Sequence, residues 1–202
     1  MKTVKTKFGR MPMQSPVLKF LVWAFLVLVV MSLVGVAFGT EIPRGAAAVL
    51  KTAADLVKSE YREGPNNDTI FGEWYGMNHQ PWCGMVISWC FKENGIEKLV
   101  AAQSKKGFAK CSIALRWFEQ NKQIVPVERA RPGDIVFYRF GKDGKTHHVG
   151  LVVENYPDKG LMSCIEGNTS SDEKGSQRDG DGVFKKMRSY NEVMKVAHPK
   201  YE

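Results

Sequence analysis

Pro81-Trp82-Cys83-Gly84-Met85-Val86-Ile87-Ser88-Trp89-Cys90-Phe91-Lys92 places a cysteine at the opening of an apolar helical pattern. Met85, Val86, Trp89 and Cys90 recur at helical spacing and form one buried stripe. Pro81 sits where a first turn tolerates proline, and Asn94-Gly95 closes the helix, which is expected over 82–92. Working upstream, Val49, Leu50, Ala53, Leu56 and Val57 repeat the same period, so a helix is expected over 46–60. Between the two, residues 71–80 read as a loop rich in aromatics and glycine. Downstream, a third helix is expected from about Ser112 to Asn121.

Beyond that helix the period becomes two. Arg131-Pro132-Gly133-Asp134 is a turn that launches a strand over 135–140. Asp143-Gly144 supplies a hairpin tip, and 148–154 runs back as the second strand. Further strands are expected over 161–166 and 183–188, separated by a polar loop over 170–182. Helices followed by an antiparallel sheet indicate an α+β domain.

The chain of 202 residues has room for one such domain and an appendage. Its net charge of +8 divides unevenly. Lys2, Lys5, Lys7, Arg10 and Lys19 give +5 to the first forty residues, which hold no acid, and leave +3 for the rest. No basic stripe interleaved with aromatics appears, which speaks against a nucleic-acid partner. From Phe20 to Phe38 there are nineteen uncharged residues, and Val17 and Leu18 extend the run past Lys19. At ~1.5 Å per residue this reaches about 28 Å, close to a bilayer core. The basic flank keeps the N-terminus cytoplasmic and exports the C-terminal remainder of the chain. Cleavage near Gly39 would instead release a secreted protein, but the run exceeds the usual ~7–15 residue apolar region of a signal peptide. The organisation expected is a basic tail over 1–16, a membrane span over 17–38, a linker over 39–45 and the domain over 46–202.

The domain holds four cysteines, Cys83, Cys90, Cys111 and Cys164, with neither a C-x-x-C pair nor an H-x₃₋₅-H spacing, so no zinc site is expected. Most are expected as buried, unpaired thiols. Cys83 differs because the first turn of a helix favours thiolate through its N–H groups and dipole. A thiol nucleophile also needs a base and a group to orient that base. His147-His148-Val149-Gly150 opens a strand, and alternation sends the two histidines to opposite faces. His148 is expected over the helix terminus and His147 at the surface. Cys164, Glu166 and Asn168 share a face of the next strand, where a carboxylate can accept the second imidazole N–H. Asn78 and Gln80 are candidates for an oxyanion donor. Trp74, Tyr75 and Trp82 could wall a substrate groove, although aromatics beside a helix start are more often core. Asp179-Gly180-Asp181-Gly182 resembles the start of a calcium loop but puts Tyr190 where a bidentate Glu belongs, so a turn is expected.

The segments WYGMNHQPWCGMVISWC (74–90), RPGDIVFY (131–138), HHVGLVV (147–153), IEGN (165–168) and GVFKKMRS (182–189) resemble the cysteine, histidine-dependent amidohydrolase/peptidase (CHAP) family. These are peptidoglycan hydrolases of bacteria and bacteriophages. The resemblance, over roughly 46–190, implies a papain-like fold with Cys83 as nucleophile, His148 as base, Glu166 as orienter and Asn168 supporting the site. Some members bind calcium through an Asp-rich loop before the cysteine. Residues 66–82 hold only Asp68 and Glu73, so no metal and no other cofactor is expected. The expectation is a monomeric, membrane-tethered or secreted hydrolase that cuts an amide bond of peptidoglycan, either sugar–peptide or within the peptide. An NlpC-type peptidase, which usually orients its base with a second His, and a catalytically idle wall-binding protein are the alternatives.

Overall fold

A computed structural model describes residues 41–140, 144–172 and 174–201. The expected tail, membrane span and cleavage point, and Asp143 of the hairpin tip, lie outside the described residues. Among the described residues no helix is long and apolar enough to cross a membrane.

The order of elements is that of an α+β domain, with helices first and an antiparallel sheet after. Helix α1 (Arg44–Lys58) buries Ala46, Val49 and Ala53 and lies two residues earlier at each end than periodicity suggested. Helix α2 (Ile70–Tyr75) occupies what reads in the sequence as loop. A single turn and a half is too short to show a period, yet its ends are specified locally. Thr69 Oγ1 accepts from Gly72 N at 2.9 Å, and Gly76 stops the helix in the left-handed conformation that glycine adopts at no steric cost.

Helix α3 (Cys83–Lys92) is the pivot of the domain. Residues 83–88 are all buried, because α1 and α2 pack on one side of the helix and the sheet on the other. Two glycines permit this closeness. A Cβ at Gly84 would stand 2.5 Å from the Ala109 carbonyl oxygen, and one at Gly167 would stand 2.5 Å from Val86 Cγ1. Helix α4 (Cys111–Gln120) turns Cys111, Ala114, Leu115 and Phe118 inward at i, i+3, i+4 and i+7.

The sheet is built from six strands: β1 (Ile124–Val125), β2 (Ile135–Tyr138), β3 (His148–Tyr156), β4 (Leu161–Thr169), β5 (Gly182–Ser189) and β6 (Val193–Ala197). They form one antiparallel sheet in the order β1-β6-β2-β3-β4-β5. The two edge-side additions, β1 and β6, are absent from the sequence reading. The last strand returns to lie between β1 and β2, a pairing that nothing local in Val193–Ala197 encodes. Alternation divides the sheet's side chains. Ile135, Phe137, Val149, Leu151, Ile165 and Val183 face the helices. Val136, Tyr138, Val152, Met162, Cys164 and Val196 form a second, smaller core on the opposite face. Strand β2 is buried along its whole length for this reason, and it ends at Tyr138 rather than at Phe140.

Candidate active site

Cys83 is the first residue of α3, and the residue before it, Trp82, offers no side-chain cap. The first-turn N–H groups are therefore left without a side-chain cap, and that of Gly84 acts on the thiol. Cys83 borders a cleft of about 340 Å³ whose other walls include Gln80, Cys111, Thr146 and His147. The side chain is nearly buried, but it forms part of a surface that opens to solvent.

His148 is the first residue of β3, at the end of the sheet, and is fully buried. Its ring is stacked at 5.8 Å on Tyr138 and flanked at 5.8 Å by Phe140, which accounts for the aromatics that end and succeed β2. Nε2 meets Glu166 Oε2 at 3.0 Å, while Nδ1 is buried with no hydrogen-bond partner among the described residues. Gly150, two residues along, leaves room for this arrangement: a Cβ there would stand 2.7 Å from Glu166 Cγ.

Glu166 is buried in β4 and held by a residue that the sequence reading missed. Arg188 of β5 donates Nε to Oε1 at 2.8 Å and Nη2 to Oε2 at 2.6 Å, a two-pronged grip. The guanidinium also lies over the Tyr138 and Phe140 rings, at 5.4 and 5.0 Å. Arg188 pairs across the sheet with Met162, so its length carries the charge diagonally to Glu166. By alternation Arg188 shares its face of β5 with Phe184 and Lys186, so no apolar pattern along the strand marks it as buried.

The charges interlock. Burial alone would push the Glu166 carboxyl up, but the Arg188 and His148 hydrogen bonds outweigh it and bring its pKa to about 2. Burial alone would likewise depress the imidazole, yet Cys83 and Glu166 on either side raise His148 to about 9. The Cys83 thiol is held well below its usual range, first by a hydrogen bond from Cys111 and then, against burial, by His148 and the Gly84 N–H. Cys111 is the second residue that the sequence reading missed. Its sulfur is 3.7 Å from that of Cys83, and its own pKa is driven up by that neighbour and by burial. Like Cys83, it opens a helix with an apolar stripe, and that shared signature could have flagged it.

Residues 74–168 match the CHAP domain family. The chain carries a CHAP domain. The matched segment contains the start of α3, the start of β3 and Glu166, and it ends at Asn168, so Arg188 lies beyond it. A CHAP domain implies activity of the peptidoglycan-hydrolase type in general. A comparison with curated proteins finds no match.

The other candidates fall elsewhere in this CHAP domain. Asn168 has a φ of +58° at a bulge where β4 and β5 slip register, so alternation breaks there and it does not share the face of Glu166. Its Nδ2 donates to the Arg178 carbonyl at 3.3 Å, which ties down the loop before β5. Asn78 is committed to the Thr69 N–H and to Asp68, leaving Gln80 as the amide that borders the cleft. Trp82 is buried against Tyr61 and Phe71, and Trp74 packs on Tyr75 and Trp89, so these aromatics belong to the core. Asp181 pairs with Arg62 at the entry to β5. His147 borders the cleft rather than turning away from it.

Proposed function

We propose that this CHAP domain cleaves an amide bond of peptidoglycan by acyl transfer, with Cys83 as nucleophile, His148 as general acid and base, and Glu166 as the group that orients the imidazole. The observation that carries this reading is the bond from His148 Nε2 to Glu166 Oε2 at 3.0 Å, which leaves Nδ1 for a thiol at a helix start on an open cleft. A carboxylate in that place, rather than a second histidine, favours the CHAP arrangement over the NlpC type.

The charges dictate the steps. Below a pH of about 9 the imidazole holds its proton, and the neighbouring thiol, held well below its usual range, gives up its own more readily, which favours a reactive pair near neutral pH. The thiolate attacks the amide carbonyl, and the Cys83 N–H, with the Gln80 amide beside it, offers donors to the oxyanion. His148 gives its Nδ1 proton to the departing amine and then takes one from the water that releases the acyl group. Glu166 stays ionised throughout because Arg188 neutralises it; proton transfer stops at the imidazole.

The basic N-terminal flank and the uncharged run over 20–38 support a location outside the cytoplasmic membrane, on the side where peptidoglycan lies. Mass spectrometry of fragments released from purified peptidoglycan tests the function directly. New peptide amino termini or freed muramoyl carboxyls are expected and would identify the bond. A wall digest unchanged by active-site-competent protein would refute the proposal. External protease on spheroplasts should degrade residues 45–202; a protected domain would refute the location.

A further inference from the structure

Helices α3 and α4 each begin with a cysteine, and the two thiols meet at the cleft. Cys83 Sγ and Cys111 Sγ are 3.7 Å apart, both residues border the cleft, and neither is in a disulfide. The backbone holds them in this relation. Next to Cys83, Gly84 lies so close to Ala109 that a Cβ would collide with its carbonyl. One turn on, Ser88 Oγ accepts from Phe108 N at 2.8 Å and donates to Phe108 O at 2.9 Å. The segment that leads into Cys111 is therefore clamped to the helix that Cys83 opens. A disulfide needs sulfurs ~2.05 Å apart, so closure asks for about 1.7 Å of approach. Cys90 and Cys164 are buried and border none of this cleft.

In the acyl-transfer steps Cys111 does no more than donate a hydrogen bond to the Cys83 sulfur. Resting on the assignment of Cys83 as nucleophile, we propose that Cys111 is a resolving cysteine, which captures Cys83 oxidised by a hydroperoxide as a Cys83–Cys111 disulfide and so switches the hydrolase off reversibly. The Cys83 thiolate attacks the peroxide oxygen; the O–O bond breaks, sulfur loses two electrons and becomes a sulfenic acid, and the departing alkoxide or hydroxide takes the proton held by His148 to leave as an alcohol or water. The Cys111 sulfur then attacks the sulfenic sulfur, the S–S bond forms, the S–O bond breaks, and hydroxide leaves with the Cys111 proton as water. The thiolate character of Cys83 suits the first of these steps. An external dithiol reverses the bond by exchange. Without Cys111 the sulfenic acid has no thiol beside it and goes on to sulfinic and sulfonic acids, which are not recovered by a thiol.

The test is a linkage map of the full-length chain, reduced, freed of reductant and treated with hydrogen peroxide. Cys83 and Cys90 share a tryptic peptide, so the bond is assigned in the Cys90→Ala chain. Expected are a loss of the mass of two hydrogens, a cross-linked pair joining the Cys83 peptide to the one that begins at Cys111, and recovery of wall hydrolysis by dithiothreitol to within about two-fold of the untreated level. Cys111→Ala should gain oxygens on Cys83 and stay inactive after dithiothreitol. Wild type with a sulfinic or sulfonic Cys83 and a free Cys111, or with Cys83 linked to another cysteine, would overturn the proposal. The map needs no peptidoglycan and is decisive even if Cys111→Ala does not fold. A chain that forms the link yet shows no wall activity in its reduced form would instead remove the hydrolase reading, and a chain active when reduced that never forms the link would remove only the switch.

Discussion

Cys83 and Cys90 stand on the same helix, about 10 Å apart along its axis, and both are buried. Their chemistry is opposite. At Cys90 burial dominates, helped by Glu93, and pushes the thiol up to about 12. At Cys83 the same burial is overcome by a neighbouring thiol, an imidazolium and a backbone N–H, and the pKa falls. Burial by itself therefore makes a cysteine inert. Donors aimed at the sulfur, available where a helix begins and a second helix and a strand end nearby, make it a nucleophile.

The largest effect should come from exchanging the two. Cys83→Ala is expected to abolish release of wall fragments while leaving the fold intact. Cys90→Ala should hydrolyse at the wild-type rate and lose only stability, about 1 kcal/mol, read as a shift in the unfolding midpoint. Iodoacetamide at neutral pH should label Cys83 far faster than Cys90. Turnover by Cys83→Ala would break the comparison at its root.

Next in size is the base. His148→Ala should cost on the order of 10³-fold or more in kcat, as members of such triads do. With the imidazolium gone, labelling of Cys83 at neutral pH should slow as well.

Smaller, and sharper in what they separate, are the changes behind His148. Glu166→Gln keeps an acceptor for the imidazole but removes the charge that helps raise His148 to about 9. The imidazolium is then lost at lower pH, so the alkaline limb of the kcat/KM profile should move down towards neutrality. Its rate should fall between those of His148→Ala and His147→Ala. Arg188→Leu leaves the buried Glu166 carboxylate without its main counter-charge and should cost about 3 kcal/mol of stability, measured by denaturant unfolding. A Glu166→Gln, Arg188→Leu double variant should lose less than the two single changes added together.

The smallest effect is expected at His147, which borders the cleft but does not meet Glu166. His147→Ala should stay within a few-fold of wild type in kcat. A loss as large as that of His148→Ala would mean that the wrong ring of the pair had been assigned as base.

Much of this was legible along the chain because it is local. The stripe of Met85, Val86 and Cys90 locates α3, and the turn before Ile135 locates β2. What escaped depended on partners far away in sequence. Helix α2 is shorter than a period can report and rests on the Thr69 cap and Gly76. Strand β6 is defined by pairing with β1 and β2 rather than by its own five residues. Alternation places Asn168 on the face of Glu166 only when it is counted through a bulge that the pairing with β5 reveals.

The sequence alone determined that helices precede the sheet, the α+β class and the short list from which Cys83, His148 and Glu166 came, since period and cap are properties of neighbouring residues. Its hydrophobic run over 20–38 also carries the whole case for export. Tertiary structure decided the rest. Arg188 arrives from β5 to hold Glu166 ionised in a buried place, and Cys111 arrives from a second helix start to lie beside Cys83. A pKa depends on the charges and donors within a few ångströms in space, and the chain places those from segments as much as a hundred residues apart.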